Sequence, residues 1–335
     1  MPSEAKPAVL VTGATGFLGI NLLHALSLAG VRTMGMASNP LPQTALNSLA
    51  ESGPLPVVEL VDVRDSTAVS EVFSKYRPMV AIHAAAITSS ADRERRSTQA
   101  IFDVNVAGTQ SVLDACTASG VQRMLYISSG AVYGEATFGT ESVGETTPAV
   151  PTRLYGVTKL AGESLVRRHS ELHGLGTVTA RLSAAFGPWE YPTDVRDLMS
   201  PMLQLATAAH CNETSRYVTD TKRNWAYAPE AAAAIVALAL KPEPAYDCYN
   251  VCPQSLGTCE PWVERLRGAY PDTGFIAVRA PEDATVVYDA DPRRERAPVT
   301  ADRIRQELGS GLWSTHAASL DHYLAWLKAH NPNDF

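Results

Sequence analysis

Short apolar runs alternate with segments of helical periodicity through the first half of the chain. Strands alternating with helices are typical of right-handed crossovers in a doubly wound parallel sheet. The strands are also continuously apolar, which fits a sheet covered on both faces. We therefore predict an α/β fold, with strands at residues 8–13, 31–37, 57–63, 79–86, 123–129 and 176–184 and helices at 17–30, 66–76, 99–120 and 153–174.

The pattern changes after Gly187 and Pro188, and the segment 187–224 is irregular and polar. Further on, the sequence predicts helices at 229–240, 260–270 and 320–330 and a short strand at 247–251. We predict a dinucleotide-binding domain over residues 1–183, rejoined by 222–251, and a smaller substrate-binding region formed by 184–221 and 252–335. Functional loops leave the carboxyl ends of strands in such sheets, which points to the loops near 13–19, 37–39, 62–64, 84–98, 128–135 and 184–200.

Charge, apolar runs and cysteine content argue against several classes of protein. The net charge of −7 over 335 residues argues against nucleic acid as a partner. No apolar run approaches the roughly 18 residues that a membrane span needs, and the first residues lack a signal-peptide pattern, so we expect a cytoplasmic protein. The odd number of cysteines, five, without a Cys-x-x-Cys pair argues against disulfides and structural zinc, and we predict no metal.

The first predicted strand runs into the glycine-rich segment "TGATGFLG", which opens a helix. This is the context that a dinucleotide-binding fingerprint requires. The first glycine allows the tight turn, the second admits a pyrophosphate close to the backbone, and the third lets helix and strand pack closely. The helix N-terminus adds free N–H groups and a positive dipole. We predict that the pyrophosphate is held here, by Gly13, Thr15, Gly16, Phe17, Leu18 and Gly19.

The second predicted strand ends without the acidic residue that usually binds the ribose 2′-hydroxyl of NAD. Ala37 occupies that place, Ser38 and Asn39 follow, and residues 21–50 contain no Asp or Glu. The cofactor is thus NAD(P), and the missing carboxylate favours NADP. After the third strand, Asp62 and Val63 could bind the adenine, although Asp62 could equally cap the helix that begins near Ser66. Ser66 itself is the predicted N-cap of the helix at 66–76.

Two further segments carry candidate catalytic side chains. Ser128 and Ser129 end the fifth strand, where a hydroxyl can donate to a substrate oxygen. Tyr155 precedes Lys159 by one helical turn, a spacing expected by chance only about 0.2 times in such a chain. A free tyrosine has a pKa near 10, and a lysine ammonium on the same helix face can stabilise its phenolate. The pair can therefore transfer a proton at neutral pH.

Together these motifs resemble the extended short-chain dehydrogenase/reductase family, of the NAD-dependent epimerase/dehydratase type. The resemblance runs through "VTGATGFLG", "VDVRD", "HAAA", "NVAGT", "SSGAVYG", "YGVTK", "AAFGPW", "YNV" and "IRQELG", in the order of the family. It implies a Rossmann-type fold and a catalytic set of Ser129, rather than Ser128, with Tyr155 and Lys159. It also implies that Ala84, Ala85, Ala86 and Asn105 contact the cofactor. Tyr155 and Lys159 would contact it as well, with the lysine holding the ribose hydroxyls. The resemblance further implies a homodimer formed through the helices around 101–119 and 153–173.

The sequence departs from the resemblance where nucleotide-sugar members have an asparagine that contacts the substrate diphosphate. That position is Ala184, which cannot donate such bonds, and a later aspartate is replaced by Asn224 although Arg223 remains. We therefore expect a small-molecule substrate bearing a carboxylate, bound by Arg196 with Arg223. Alternatively, Arg196 pairs with Asp194 or Asp197 at the surface.

The sequence is compatible with three functions. The first is an NAD(P)-dependent oxidoreductase that interconverts the alcohol and ketone of a small polar substrate. The second is a nucleotide-sugar 4-epimerase or dehydratase with tightly held NAD. The third is a dinucleotide-binding sensor without catalysis, although the Tyr155–Lys159 pair argues against it.

Overall fold

The computed structural model describes residues 9–196, 198–219, 222–286 and 294–330. Its centre is a seven-stranded parallel sheet in the order β10-β6-β5-β4-β1-β2-β3. The predicted fold class is confirmed. The strands are β1 (Val9–Thr12), β2 (Thr33–Ala37), β3 (Val57–Leu60), β4 (Val80–His83), β5 (Arg123–Ser129), β6 (Gly176–Leu182), β7 (Ala185–Phe186), β8 (Ser215–Val218), β9 (Ala226–Tyr227), β10 (Cys248–Val251) and β11 (Phe275–Val278).

Helices cover both faces of the sheet, and each face has its own apolar core. The first and eighth helices pack together on one face, and the third, fifth and sixth pack on the other. The helices are α1 (Phe17–Leu28), α2 (Gln43–Ser52), α3 (Ser66–Tyr76), α4 (Ala91–Phe102), α5 (Gly108–Ser119), α6 (Leu154–His173), α7 (Pro201–His210), α8 (Ala228–Leu240), α9 (Glu260–Ala269), α10 (Asp302–Leu308) and α11 (His316–Ala329). None of the helices in the described ranges is long and apolar enough to cross a membrane.

The strand order creates a crevice between β1 and β4. From β1 the chain proceeds outward through β2 and β3, whereas β4, β5 and β6 lie on the other side of β1. Loops that leave β1 and β4 therefore diverge at the carboxyl edge of the sheet. In open α/β sheets this topological switch point is where ligands bind.

The long helix predicted at 99–120 is interrupted. It begins earlier, with α4, where the Ser90 hydroxyl accepts from the Arg93 backbone N–H at 3.3 Å. A π-helical segment, Asp103–Ala107, then separates α4 from α5. Such segments interrupt the helical hydrogen-bonding ladder and are frequent at functional sites.

The prediction that residues 187–224 are irregular is wrong. They contain α7, whose N-terminus is capped by the Ser200 hydroxyl accepting from the Leu203 N–H at 3.2 Å, and β8, which pairs with β11. The helical spacing is present in the sequence, since a buried apolar stripe recurs at i, i+3, i+4 and i+7: Met202, Leu205, Ala206 and Ala209. The polar residues on either side of the stripe obscured it.

A third apolar cluster lies outside the sheet layers. Its largest members are aromatic, with the Trp262 and Tyr323 rings stacked at a centroid distance of 5.3 Å and Phe186 edge-on to Tyr323 at 5.9 Å. This cluster packs α7, α9 and α11 beside the carboxyl edge of the sheet. The division into a dinucleotide-binding domain and a substrate-binding region stays a prediction.

Candidate active site

The glycine-rich loop leaves β1 at the switch point and packs tightly against the loop after β4. Gly13 has φ of +65°, and a Cβ there would lie 2.7 Å from the Ala85 backbone. A Cβ at Gly19 would lie 2.0 Å from the Gly13 carbonyl oxygen, so only glycine allows this approach of helix and strand. At Gly16 the nearest atom to such a Cβ is 3.4 Å away. Gly16 thus leaves room beside the turn.

Helix α1 begins at this loop without a side-chain cap. Its N-cap residue is Gly16, and the first turn contains no acidic side chain. The N–H groups of the first turn are left by the helix geometry without intrahelical partners, and the helix dipole makes this end positive. These residues fit the pyrophosphate of a dinucleotide, which would supply the missing acceptors.

A buried histidine supports the loop after β4. The Thr109 hydroxyl donates to the Asn105 carbonyl oxygen at 2.7 Å, so at 3.0 Å it accepts from His83 Nε2. Nδ1 of His83 is then the acceptor for the Thr12 hydroxyl at 2.7 Å, and Thr12 Oγ1 accepts from the Ala85 N–H at 3.2 Å. The pKa of His83 is lowered to about 3, mainly by burial and to a smaller extent by the charge of Lys159. The ring is therefore neutral. The motif "HAAA" is in the sequence, but the role of His83 in it was not predicted.

Asn105 lies in the π-helical segment and connects the same loop to α6. Its side-chain oxygen Oδ1 accepts from the Ile87 N–H at 2.7 Å, and its side-chain amide Nδ2 donates to the Ile87 carbonyl at 3.0 Å. The amide also donates to the Thr158 hydroxyl at 3.0 Å, and Thr158 donates to the Tyr155 carbonyl at 2.9 Å. Asn105 therefore positions the helix that carries Tyr155. Its predicted contact with the cofactor stays a prediction, as do those of Ala84, Ala85 and Ala86.

The adenosine end of the predicted site lies at the carboxyl ends of β2 and β3. Ser38 and Asn39 are exposed there. The Asp62 carboxylate binds the Arg64 guanidinium at 2.7 Å, which lowers the pKa of Asp62. The alternative role of Asp62 as a helix cap is wrong, as is the cap at Ser66, because Asp65 caps α3 by accepting from the Ala68 N–H at 3.0 Å.

The three predicted catalytic residues come from adjacent elements, the end of β5 and the first turns of α6. Tyr155 and Ser129 are half-buried, and the Ser129 hydroxyl accepts from the Ala131 N–H at 3.1 Å. Lys159 is 2% exposed, and its ammonium donates to the Ile127 carbonyl at 2.7 Å. Its Nζ lies 5.9 Å from the centroid of the Tyr155 ring. Burial lowers the pKa of Lys159 to about 7, although the charge of Glu163 opposes this shift.

A buried ion pair lies one turn further along α6. Glu163 accepts from the Ser128 hydroxyl at 2.5 Å and from the Arg181 guanidinium at 2.7 and 2.9 Å. Arg181 also donates to the Tyr133 hydroxyl at 3.1 Å. The Ser128 hydroxyl is thus bonded to the buried Glu163 carboxylate, whereas Ser129 is the next residue in the chain. Glu163 was not predicted as part of the site. Its position four residues after Lys159, on the same helix face, could have indicated it.

Each of the predicted substrate residues Ala184, Arg196 and Arg223 contacts another part of the protein. Arg196 contacts the buried Glu190 carboxylate at 2.5 Å, a partner that was not predicted. Its surface pairing with Asp194 or Asp197 stays a prediction, and Asp197 lies outside the described residues. Ala184 is half-buried, with its carbonyl accepting from the Ala226 N–H at 2.8 Å. Arg223 is half-buried and donates to the Lys222 carbonyl at 2.7 Å. Binding of a substrate carboxylate by Arg196 and Arg223 stays a prediction.

The segment after Pro188 extends back to the glycine loop. The Asn21 amide donates to the Pro188 carbonyl at 2.9 Å, and the Tyr191 hydroxyl donates to the Thr15 carbonyl at 2.8 Å. Trp189, with φ of +68°, is buried against His24. The loop near 184–200 was predicted to be functional, but these contacts were not predicted.

Within the described ranges, no three His, Cys, Asp or Glu side chains form a group that could hold a metal ion. The rings of His169 and His173 do lie together, with centroids 4.3 Å apart, and His169 Nε2 is 2.8 Å from the Thr117 hydroxyl. All five cysteines are free.

Comparison with known proteins identifies the family. Residues 9–252 match the model of the NAD dependent epimerase/dehydratase family. The chain belongs to this family. It is therefore an NAD-dependent enzyme of the extended short-chain dehydrogenase/reductase type, as its motifs predicted. The family supports NAD as the cofactor, and the expectation of NADP is not confirmed.

Two curated relatives indicate the range of the family. The low-salt glycan biosynthesis protein Agl12 of Haloferax volcanii is 30% identical over 304 residues, which cover 84% of this chain and 90% of that protein. The dTDP-glucose 4,6-dehydratase of Neisseria gonorrhoeae is 29% identical over 214 residues, or 59% of this chain. That match spans 60% of the length of the dehydratase.

Solved structures share the fold. The epimerase Mth375 of Methanothermobacter thermautotrophicus superimposes with a TM-score of 0.80 at 20% identity, covering 98% of this chain and 94% of its own. A UDP-glucuronic acid 4-epimerase from Bacillus cereus, solved with UDP-glucuronic acid and NAD, gives a TM-score of 0.79 at 20% identity, with 96% and 99% covered. At these identities the likeness demonstrates the fold alone.

Proposed function

We propose that this protein is a nucleotide-sugar 4-epimerase that keeps its NAD through the catalytic cycle. This was the second of the three functions left open by the sequence, and relatives with sugar-nucleotide names favour it over the oxidation of a small free acid. The observation that carries the proposal is the placement of Tyr155, which is half-buried and whose ring centroid lies 5.9 Å from the buried ammonium of Lys159. That arrangement suits reversible proton transfer to a sugar hydroxyl.

Each catalytic residue has a separate role in the proposal. Tyr155 takes the proton from the sugar hydroxyl and later returns it, because its phenolate is stabilised by Lys159. Ser129 donates to the same sugar oxygen and fixes its position. Bound NAD supplies the hydride acceptor.

Epimerisation is favoured over dehydration by the residues that follow Ser129. Elimination of water from a sugar needs a further acid and base beside the tyrosine. Gly130 and Ala131 come next along the chain, and neither side chain can transfer a proton. A dehydratase remains the second candidate, since a dTDP-glucose 4,6-dehydratase is among the relatives.

The diphosphate of the substrate needs a partner other than Ala184. Alanine offers no side-chain donor, and its carbonyl is already bonded to the Ala226 N–H. We assign the diphosphate to Arg223, which the family resemblance retains and whose charge suits a phosphate. An Arg223→Lys variant would keep the charge but lose the planar, bidentate donor geometry, so we expect the KM to rise more than kcat falls.

The test is product analysis with no added cofactor. Purified protein is incubated with UDP-glucose, UDP-glucuronic acid or dTDP-glucose, and the products are identified by proton NMR, with Tyr155→Phe as the inactive control. We expect a 4-epimer to form from one of these substrates without net change in NADH absorbance. A 4-keto-6-deoxy product would establish the dehydratase instead, and turnover only with stoichiometric reduction of added cofactor would refute both.

The choice of NAD as cofactor and the homodimer are each tested by a separate measurement. We expect tighter binding of NADH than of NADPH by nicotinamide fluorescence, and the reverse order would restore the expectation drawn from Ala37. We also propose the homodimer formed through the helices around 101–119 and 153–173, because both of these segments expose apolar side chains: Phe102, Val157 and Leu172. Light scattering of the purified protein should give twice the monomer mass of 35.9 kDa.

A further inference from the structure

A short segment, residues 189–196, crosses the crevice between β1 and β4, and we call it the strap. On the β1 side, the Tyr191 hydroxyl donates to the Thr15 carbonyl in the glycine-rich loop at 2.8 Å. The Arg196 guanidinium also lies 5.0 Å from the centroid of the Phe17 ring, at the start of α1. The strap thus contacts the two residues on either side of Gly16.

On the β4 side, the strap pairs with the backbone of Thr88. The Thr88 N–H donates to the Val195 carbonyl at 2.9 Å, and Thr88 and Arg196 form an isolated parallel bridge. Thr15 follows β1 and Thr88 follows β4, so these contacts lie on opposite sides of the switch-point crevice. The strap therefore spans the place where this fold binds a dinucleotide.

Both ends of the strap are anchored by buried side chains. At one end Trp189 is buried, with its ring parallel to that of His24 at 5.8 Å and edge-on to that of Trp326 at 5.2 Å. Next to it, the buried Glu190 carboxylate accepts from the Arg196 guanidinium at 2.5 Å and from the Ser200 hydroxyl at 2.5 Å. Between Glu190 and Arg196, the Tyr191 side chain reaches the glycine loop through a neutral hydrogen bond. Such a bond is weak enough to open and close repeatedly.

We propose that the strap is a gate over the dinucleotide, and that the Tyr191 hydroxyl holds it closed on the Thr15 carbonyl. The gate slows both entry and release of the cofactor. The proposal depends on the NAD dependence of the family and deepens the proposed function, because an enzyme that returns its hydride to the substrate must keep the same NAD bound. No bond to the substrate is involved.

The test removes the hydroxyl and keeps the ring. Tyr191→Phe and wild-type protein are loaded with NADH, and release is followed by the loss of nicotinamide fluorescence after mixing with excess NAD. Association is measured separately in a stopped-flow instrument. We expect both rate constants to rise about fivefold, the effect of losing one neutral hydrogen bond, while the dissociation constant changes less than twofold.

The matched control is Tyr246→Phe, which removes a hydroxyl bonded at 3.1 Å to Gln306 on the surface. It should leave both rate constants unchanged. Rates in Tyr191→Phe equal to those of wild type would overturn the proposal, and so would faster release without faster association, which would identify Tyr191 as an ordinary contact with the cofactor. The release and association measurements contain only protein and cofactor. The sugar-nucleotide activity could therefore be refuted without producing either of these two overturning results.

Discussion

Lys159 is a cation that the fold has removed almost completely from water. Its ammonium makes a 2.7 Å hydrogen bond to the Ile127 carbonyl, and the Tyr126 ring centroid lies 5.0 Å away. Burial lowers its pKa to about 7, and Glu163, four residues later, limits the shift. Near neutral pH a part of the Lys159 side chains is therefore uncharged.

The lowered pKa of Lys159 makes stability depend on pH in a defined direction. Between about pH 7 and the ordinary lysine value of 10.5, the unfolded chain binds a proton that the folded chain has released. Stability therefore rises with pH across this window, by up to about 1.4 kcal/mol per unit for this group. We expect the stability of wild type relative to Lys159→Met to increase between pH 7 and 9.5 in urea unfolding. Parallel stability curves for the two proteins would contradict this pKa.

Removing the Tyr155 hydroxyl should abolish proton transfer while leaving the fold intact. The ring of a Tyr155→Phe variant can still pack on α6, so we expect an unchanged melting temperature. Turnover should fall about 10²- to 10⁴-fold, the usual contribution of a positioned acid or base. Ser129→Ala provides the comparison, since loss of a single donor should cost less. Equal activity of Tyr155→Phe and wild type would favour the sensor function.

At the scale of elements, the π-helical segment connects three parts of the site. Asp103–Ala107 orients Asn105 so that one side chain binds both backbone groups of Ile87 and the hydroxyl of Thr158. The loop after β4 and the start of α6 are thereby fixed relative to each other. A regular helix would direct this side chain elsewhere, because each residue would advance by the ordinary helical angle.

Asn105→Ala should destabilise the protein through this connection. It leaves the Ile87 N–H and carbonyl buried without their partner, and each unsatisfied group costs about 1–3 kcal/mol. We expect a loss of about 3 kcal/mol in urea unfolding, with slower turnover because Tyr155 is less well positioned. Gln99→Ala, which removes an exposed bond to Asp103 on the same helical run, should cost less than about 0.5 kcal/mol. Equal losses in both variants would show that Asn105 has no special role.

At the scale of the molecule, a group of aromatic rings joins elements far apart in the chain. Trp189 packs between His24 of α1 and two rings at the end of the chain, Trp326 of α11 and His330, which stack on each other at 4.5 Å. The sheet domain, the strap and the C-terminal helix meet at this side chain. Trp189 also has a left-handed backbone, which costs about 1–2 kcal/mol for a non-glycine residue.

Trp189→Gly sets these two effects against each other. Glycine relieves the backbone strain, but loss of a buried tryptophan costs about 3–5 kcal/mol, so the variant should be less stable by about 2–3 kcal/mol. Arg77→Gly is the control, because Arg77 is exposed, has φ of +44° and ends α3. It should be stabilised by about 1 kcal/mol. A stabilised Trp189→Gly protein would show that strain outweighs packing at this position.

Predictions from local patterns were reliable wherever the pattern itself causes the structure. The apolar runs gave the strands of the central sheet, and the glycine-rich segment gave the turn from β1 into α1. The spacing of Tyr155 and Lys159 gave their shared position on α6. The same approach missed α7 among polar neighbours and placed the cap of α3 one residue too late.

The sequence by itself determined the fold class, the family and the candidate catalytic set, because strand alternation, helical periodicity and ordered motifs are properties of neighbouring residues. Only the tertiary structure decided the strand order, the pairing of Arg196 with Glu190 and the burial that lowers the pKa of Lys159. It also brought Tyr191 to Thr15 across 176 positions of the chain. Spacing along a sequence carries no signal for such contacts, since they depend on how separate elements pack and how much water that packing excludes.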